Sequence, residues 1–169
     1  MERLWQERRH LVARELLERI AGMDAGDFES LVVQVLVAMG YGGSYAEAAR
    51  VVGKSGDGGI DGIIKEDRLG LDAVYVQAKR WQGVVGRPQL QQFAGSLDGA
   101  RASKGVFITN SSFTADARTY VEAIGKHIVL VEGRMLADLM IEYGVAVVTE
   151  RTYLIPKVDE DFFEVQEGT

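Results

Sequence analysis

The chain has 169 residues, a net charge of −6 and no cysteine. Its length fits one domain better than two and is sufficient to bury an apolar core unaided. The absence of cysteine excludes a disulfide framework, a thiolate zinc site and a cysteine nucleophile. No apolar run approaches the ~18 residues of a membrane span. The N-terminus has interspersed charges instead of a signal peptide, so we expect a cytoplasmic protein without membrane contact.

The charge is unevenly distributed along the chain. Residues 156–169 contain five acids and one base, Lys157, and we expect this segment to be a loosely ordered acidic tail. Residues 1–155 are then a single domain that begins with a helix. Between Lys79 and Lys104 there are five bases and one acid, Asp98. This basic stretch could contact phosphates, although an ordinary solvated face explains it equally well.

Two helices are expected at the start of the chain. Apolar spacing predicts one over residues 3–21 and another over residues 27–39, capped by Asp24 or Asp27 and ended by Gly40. Glu29 lies at the edge of the apolar arc of the second helix, where its carboxylate can face a cleft beside the core. The competing explanation is a first-turn acid favoured by the helix dipole.

A β-hairpin and an alternation of strands and helices are expected next. The hairpin has one strand near residues 62–64 and a second at residues 73–79. Pro88 is well placed to open a helix. The later elements are a strand at 105–109, a helix at 114–124, a strand at 128–131, a helix at 135–143 and a last strand at 145–148. The alternation predicts parallel strands with helical crossovers, so the fold class is α/β with a mixed sheet flanked by helices.

The residues that can carry chemistry lie on the hairpin. Asp61 follows a glycine-rich run, and Gln77 and Lys79 share one face of the second strand because successive side chains alternate. On neighbouring strands the three would place two oxygen ligands and one ammonium close together. Oxygen ligands suit Mg²⁺, and Lys79 could orient an attacking water and stabilise the charge of a phosphorane-like transition state. The pattern therefore predicts metal-dependent phosphodiester hydrolysis.

At these residues the sequence resembles the Mrr-like branch of the PD-(D/E)xK restriction endonucleases, in which glutamine commonly occupies the second acidic position. The resemblance covers most of residues 25–140, in the expected order. The matching segments are Phe28-Glu29-Ser30-Leu31, Gly56-Asp57-Gly58-Gly59-Ile60-Asp61-Gly62, Val76-Gln77-Ala78-Lys79, Gly105-Val106-Phe107-Ile108-Thr109 and Phe113-Thr114-Ala115-Asp116-Ala117. It implies a restriction-endonuclease-like fold.

The resemblance also implies a role for each site residue. Asp61 would ligate the metal, Gln77 would replace the usual acidic ligand, and the backbone carbonyl of Ala78 would complete the shell. Lys79 would be the catalytic lysine, and Glu29 an acid that supports the site. The implied cofactor is Mg²⁺, for which Mn²⁺ can substitute. The implied activity is cleavage of DNA in the restriction of foreign or modified DNA, in a prokaryotic cytoplasm.

DNA is the expected partner, and cutting both strands would suit a homodimer. Because few residues lie outside the nuclease core, target recognition would fall to a separate domain or subunit. Candidate DNA contacts are Arg80, Trp81, Arg87, Gln91 and Thr109. Packing of Trp81, simple exposure of Gln91 and a plain turn at Thr109 are the competing explanations. Two other functions remain open: a non-catalytic DNA-binding or assembly module that keeps the fold, and a nuclease for RNA or branched DNA.

Overall fold

A mixed four-stranded sheet with helices on both faces organises the molecule. The computed structural model describes residues 2–41, 60–65, 73–152, 154 and 156–164. The elements in these ranges are α1 (Glu2–Ala21), α2 (Ala25–Ala38), β1 (Gly62–Lys65), β2 (Ala73–Lys79), α3 (Arg87–Gly99), β3 (Lys104–Thr109), α4 (Ala115–Ala123), β4 (His127–Val131), α5 (Gly133–Glu142) and α6 (Glu160–Glu164). None of these helices is long and apolar enough to cross a membrane.

The strands follow one another across the sheet in the order β1-β2-β3-β4. β1 and β2 form the predicted antiparallel hairpin, with Gly62 opposite Val76. β2 pairs with β3 in parallel, Gln77 opposite Phe107, and β3 pairs with β4 in parallel, Phe107 opposite Leu130. The helices α3 and α4 make the two crossovers between parallel strands. The mixed sheet predicted from the order of elements is therefore confirmed.

Each face of the sheet has its own apolar core. On one face α1, α2 and α5 cover the strands. The strand side chains of this first core are Ile64, Val76, Ala78, Ile108 and Val131. On the other face, α3 and α4 enclose a second core around Phe107, whose ring meets those of Phe93 and Phe113 edge to face at 5.6 and 5.7 Å. β2 is therefore covered on both faces, and any polar side chain on it needs an explanation.

Local signals account for where the helices begin and end. The Asp24 carboxylate accepts from the backbone N–H of Asp27 at 2.8 Å, so Asp24 is the N-cap of α2. Thr114 caps α4 in the same way. Gly40 and Gly144 follow α2 and α5 with φ of +96° and +70°, a region that glycine enters without steric cost.

The last predicted strand is wrong. Residues 145–148 form no strand, because no strand of the described sheet pairs with them. The N–H of Val145 instead donates to the carbonyl of Met140, closing the end of α5, and Val148 is 93% exposed. Further on, α6 is a short helix within the segment that was expected to be loosely ordered.

Candidate active site

Asp61 is tied to β2 by two hydrogen bonds that flank Gln77. Its backbone N–H donates to the carbonyl of Val76 at 2.9 Å, and its carboxylate Oδ2 accepts from the N–H of Ala78 at 2.8 Å. The N–H and carbonyl of one strand residue point to the same edge of the strand. The carbonyl of Ala78 is therefore directed toward the edge where Asp61 lies.

Gln77 is the unusual residue of β2. The residue is only 5% exposed, which contradicts the simple interpretation of a solvent-facing strand residue. Its Oε1 is buried and has no hydrogen-bond partner among the residues that the structure describes. A buried polar atom without a partner costs about 1–3 kcal/mol. Such an oxygen is expected to bind something that is not part of the described chain.

Two carboxylates share the site, and each is perturbed. Burial raises the pKa of Asp61, opposed by the hydrogen bond from Ala78 and the charge of Lys79. Burial also raises the pKa of Glu29, and the nearby Asp61 charge raises it further. Glu29 follows the first turn of α2, whose acid is Asp27, so a first-turn dipole role does not describe it. The site thus accumulates negative charge that a cation would relieve.

Lys79 is half-buried at the end of β2. Its Nζ lies 4.9 Å from the centroid of the Trp81 ring, in a cation–π contact. The backbone N–H of Trp81 donates to Oδ1 of Asn110 at 2.7 Å. Sequence reasoning did not find this role of Asn110, because the contact joins segments that follow two different strands. The structure therefore brings Asp61, Gln77, Ala78, Glu29 and Lys79 to one end of the hairpin.

The candidate DNA contacts differ in burial and in the groups that they contact. Arg80 donates from Nη1 to the carbonyl of Ala21 at the end of α1. Arg87 is near Asp116 and lies over the ring of Tyr120. Thr109 is fully buried, and its hydroxyl accepts from the N–H of Ser111 two residues later, so a plain turn describes it. Gln91 is exposed on α3.

The oxygen atoms at this site fit a hard divalent cation. Among the described residues, no group of three or more His, Cys, Asp or Glu side chains could hold a metal ion. A cation at the hairpin would instead use the Asp61 carboxylate, the partnerless Gln77 Oε1 and the Ala78 carbonyl, with Glu29 nearby. Carboxylate, amide and carbonyl oxygens are the ligands that Mg²⁺ and Ca²⁺ take, and Mg²⁺ normally keeps several waters as well.

The chain is an α/β protein whose mixed sheet carries an acid, an amide and a lysine at one end of a hairpin. Residues 20–140 match the Mrr_cat family model, described as a restriction endonuclease. The match covers more than half of the chain, which therefore belongs to this family and confirms the predicted resemblance.

Individual relatives agree with the family. The chain is 48% identical over 164 residues to the type IV methyl-directed restriction enzyme EcoKMrr of Escherichia coli K12, covering 97% of this chain and 53% of that protein. It thus spans about half the length of this curated relative. Two solved structures share the fold. The MspJI restriction endonuclease in complex with a 27-mer oligonucleotide is 24% identical with a TM-score of 0.52, covering 85% of this chain and 38% of that one. The DNA modification-dependent restriction endonuclease AspBHI is 18% identical with a TM-score of 0.60, covering 79% and 36%.

Proposed function

We propose that this domain is a Mg²⁺-dependent endonuclease that hydrolyses phosphodiester bonds of DNA in the restriction of modified or foreign DNA. The observation that carries the proposal is the buried, partnerless Oε1 of Gln77, flanked by the two hydrogen bonds that hold Asp61. Membership of a restriction endonuclease family supports the reaction class. A relative described as methyl-directed supports modified DNA as the substrate.

Each site residue has its own role in the proposed reaction. Asp61, Gln77 and the Ala78 carbonyl hold the cation, which when bound supplies a Lewis acid and a more acidic water. Mn²⁺ takes the same oxygen ligands and would substitute. Glu29 adds negative charge that compensates for the neutral amide of Gln77. Lys79 donates a hydrogen bond to a non-bridging oxygen while water adds to phosphorus and releases a proton to solvent. The P–O bond to the leaving sugar oxygen breaks, and that oxygen takes up a proton from solvent.

Cleavage by a Lys79→Ala variant tests this function. The substrates are methylated and unmethylated duplexes incubated with Mg²⁺, with Mn²⁺, or with a chelator. Loss of one preorganised donor lowers the rate by about 10²–10³-fold. The matched control is Lys65→Ala, which removes the same charge from an exposed position at the far end of β1 and keeps the wild-type rate. Equal cutting by Lys79→Ala and wild type would contradict the proposed role of Lys79.

A non-catalytic DNA-binding module is the second candidate, favoured by one observation. The set of ligands contains a neutral amide, and no three acidic or histidine side chains among the described residues form a metal site. DNA binding that a chelator leaves unchanged, without cutting under any metal, would favour this module.

Two further proposals concern target recognition and assembly. Because the chain spans 53% of its curated relative, we propose that a separate domain or subunit reads the target. A homodimer would place one site on each DNA strand. Sedimentation with and without a duplex measures the number of copies bound, and a single copy that cuts both strands would contradict the dimer.

A further inference from the structure

The Nζ ammonium of Lys79 lies over the indole ring of Trp81 in a cation–π contact. Neither residue is among those proposed to hold the cation. We propose that Trp81 is a positioning residue for Lys79, and that Asn110 fixes Trp81 in turn. The role rests on the proposed function, since it concerns the lysine assigned to that reaction. Trp81 acts through Lys79 and is not itself assigned a contact with the substrate.

The local backbone sets up the contact. Lys79 ends β2, and Trp81 follows two residues later in a segment without regular secondary structure. The Lys79 Nζ lies 4.9 Å from the ring centroid, within the range at which a cation is attracted to an aromatic face. Among the residues that the structure describes, Lys79 forms no ion pair with an acid. The proposed placement of the ammonium therefore rests on its cation–π contact with the ring.

A ring serves this purpose better than a carboxylate would. Lysine has a flexible four-carbon stem, so its ammonium needs a partner to stay in one place. Direct pairing with Asp61 would occupy a carboxylate oxygen that the cation requires. The aromatic face attracts the ammonium through its quadrupole and uses no carboxylate oxygen. The Asp61 carboxylate, which accepts from the N–H of Ala78, is then not needed to hold the ammonium.

The backbone of Trp81 is tied to the segment after β3. Its backbone N–H donates to Asn110 Oδ1 at 2.7 Å, and the Ser111 hydroxyl donates to the carbonyl of Gly83 at 2.5 Å. Slightly further on, the N–H of Val85 donates to the carbonyl of Ser112 at 2.8 Å. These bonds join the segment after β2 to the segment after β3. The Trp81 ring also packs against the core beneath α3 and α4.

The first experiment tests the contact without using activity. The chain has two tryptophans, so in a Trp5→Phe background the indole emission comes from Trp81 alone. Lys79→Met removes the cation from the ring and is expected to change the emission maximum and intensity of Trp81. Lys65→Met, which removes an exposed lysine of β1, is expected to leave both unchanged. An identical spectrum for Lys79→Met and its parent would overturn the proposal.

The second experiment tests the role in the reaction. Fluorinated tryptophans incorporated into the Trp5→Phe protein weaken the ring quadrupole progressively while nearly keeping its shape. Single-turnover cleavage at saturating DNA is expected to slow with each added fluorine, by about 3- to 30-fold across the series. DNA affinity, measured in Ca²⁺ without cutting, is expected to stay constant. A constant rate overturns the proposal, and so does an affinity that falls while the saturating rate does not.

Substitutions complete the test and separate it from the proposed function. Trp81→Phe keeps an aromatic face and is expected to retain more activity than Trp81→Leu. Asn110→Ala is expected to slow cleavage in the same way, with little added effect in the Trp81→Leu background because the two act in series. Full additivity would overturn the part assigned to Asn110. If the parent protein cuts no DNA with any metal, the proposed function fails, while the emission experiment still decides whether the contact exists.

Discussion

Two site residues at the hairpin carry polar groups that lower the stability of the fold but suit the proposed function. Gln77 buries an amide oxygen without a partner among the described residues, and Asp61 holds a carboxylate whose pKa burial has raised. Each is unfavourable for folding, and the cation proposed for this site would compensate for both. Strained or unsatisfied groups of this kind gather at functional sites and are compensated elsewhere in the fold.

Asp61→Asn is expected to stabilise the metal-free protein at neutral pH. The pKa of Asp61 in the folded state is raised above its unfolded value, about 3.9. The protonated carboxyl therefore contributes its full stabilisation below the unfolded value, and this contribution is lost as the pH rises through the folded value. Asparagine removes the charge and can still accept from the N–H of Ala78. Urea unfolding at several pH values should show a gain at pH near 7 that vanishes in acid.

The same variant should also lose its response to metal. A cation that binds only the folded state raises the unfolding free energy of wild type, and Asp61→Asn should abolish this rise. Glu122→Gln, at an exposed position of α4, is the control and should change neither property. If metal-free Asp61→Asn is less stable than wild type at neutral pH, burial of the Asp61 charge does not destabilise the fold.

At the scale of elements, packing of α1 on α5 supports the sheet that carries the site. Asp138 on α5 accepts from Arg9 of α1 at 3.3 Å and from Arg134 at 3.0 Å. Burial alone would raise the pKa of Asp138, but the hydrogen bonds and charges of the two arginines outweigh it and lower the pKa. A second pair, Arg8 with Glu150, is more exposed on both sides.

Asp138→Asn is expected to destabilise the protein at neutral pH by up to about 1 kcal/mol. The folded pKa is lowered, so the stabilising contribution is present above the unfolded value, about 3.9, and is lost as the pH falls through the folded value. Unfolding free energies of variant and wild type should therefore converge in acid. Glu150→Gln removes the exposed pair and should have almost no effect at any pH. A pH-independent loss for Asp138→Asn would exclude the charge as its cause.

Gly133→Ala tests how closely α5 begins beside the loop that holds Trp81. A Cβ at Gly133 would lie 2.2 Å from the carbonyl oxygen of Asn110, and backbone cannot move as a flexible side chain can. We expect a loss of about 1–3 kcal/mol, with slower cleavage because Asn110 shifts. Gly95→Ala is the matched control, since no described atom lies within 4 Å of its Cβ, and it should stabilise α3 by about 0.5–1 kcal/mol. Similar free energies of unfolding for the two variants would show that the backbone at Asn110 moves aside for the added Cβ at no cost.

At the scale of the whole molecule, charge is separated between the domain and its C-terminal segment. The net charge is −6, yet residues 156–169 alone contain five acids and one base. The described part of this segment includes α6, whose Phe162 and Phe163 are 61% and 59% exposed. A separated acidic segment repels DNA over a distance set by ionic strength.

Neutralising that segment is expected to tighten DNA binding in low salt. The variant combines Asp159→Asn, Glu160→Gln and Asp161→Asn, and binding is measured in Ca²⁺ at increasing salt. The gain should shrink as salt rises, because exposed charges beyond the Debye length are screened. Glu2→Gln, Glu7→Gln and Glu18→Gln on α1 together form a control of equal charge change. Equal gains from both triple variants would attribute the effect to net charge alone.

The sequence by itself predicted the hairpin and the order of elements as far as α5, and it proposed which residues form the site. These follow from short-range physics: the alternation of β2 side chains, the cap at Asp24 and the spacing of Asp61 before Gln77 and Lys79. The same rules failed at residues 145–148, whose apolar pattern suits a strand but which no strand of the described sheet pairs with.

Only the tertiary structure decided what each site residue experiences. Burial of Gln77, the raised pKa values of Asp61 and Glu29, and the complete burial of Thr109 depend on helices distant in sequence. Trp81 and Asn110 are 29 residues apart along the chain, and the hydrogen bond between them likewise requires β2 and β3 to lie side by side. Desolvation and contacts of this kind are properties of the surroundings, and a linear pattern does not contain them.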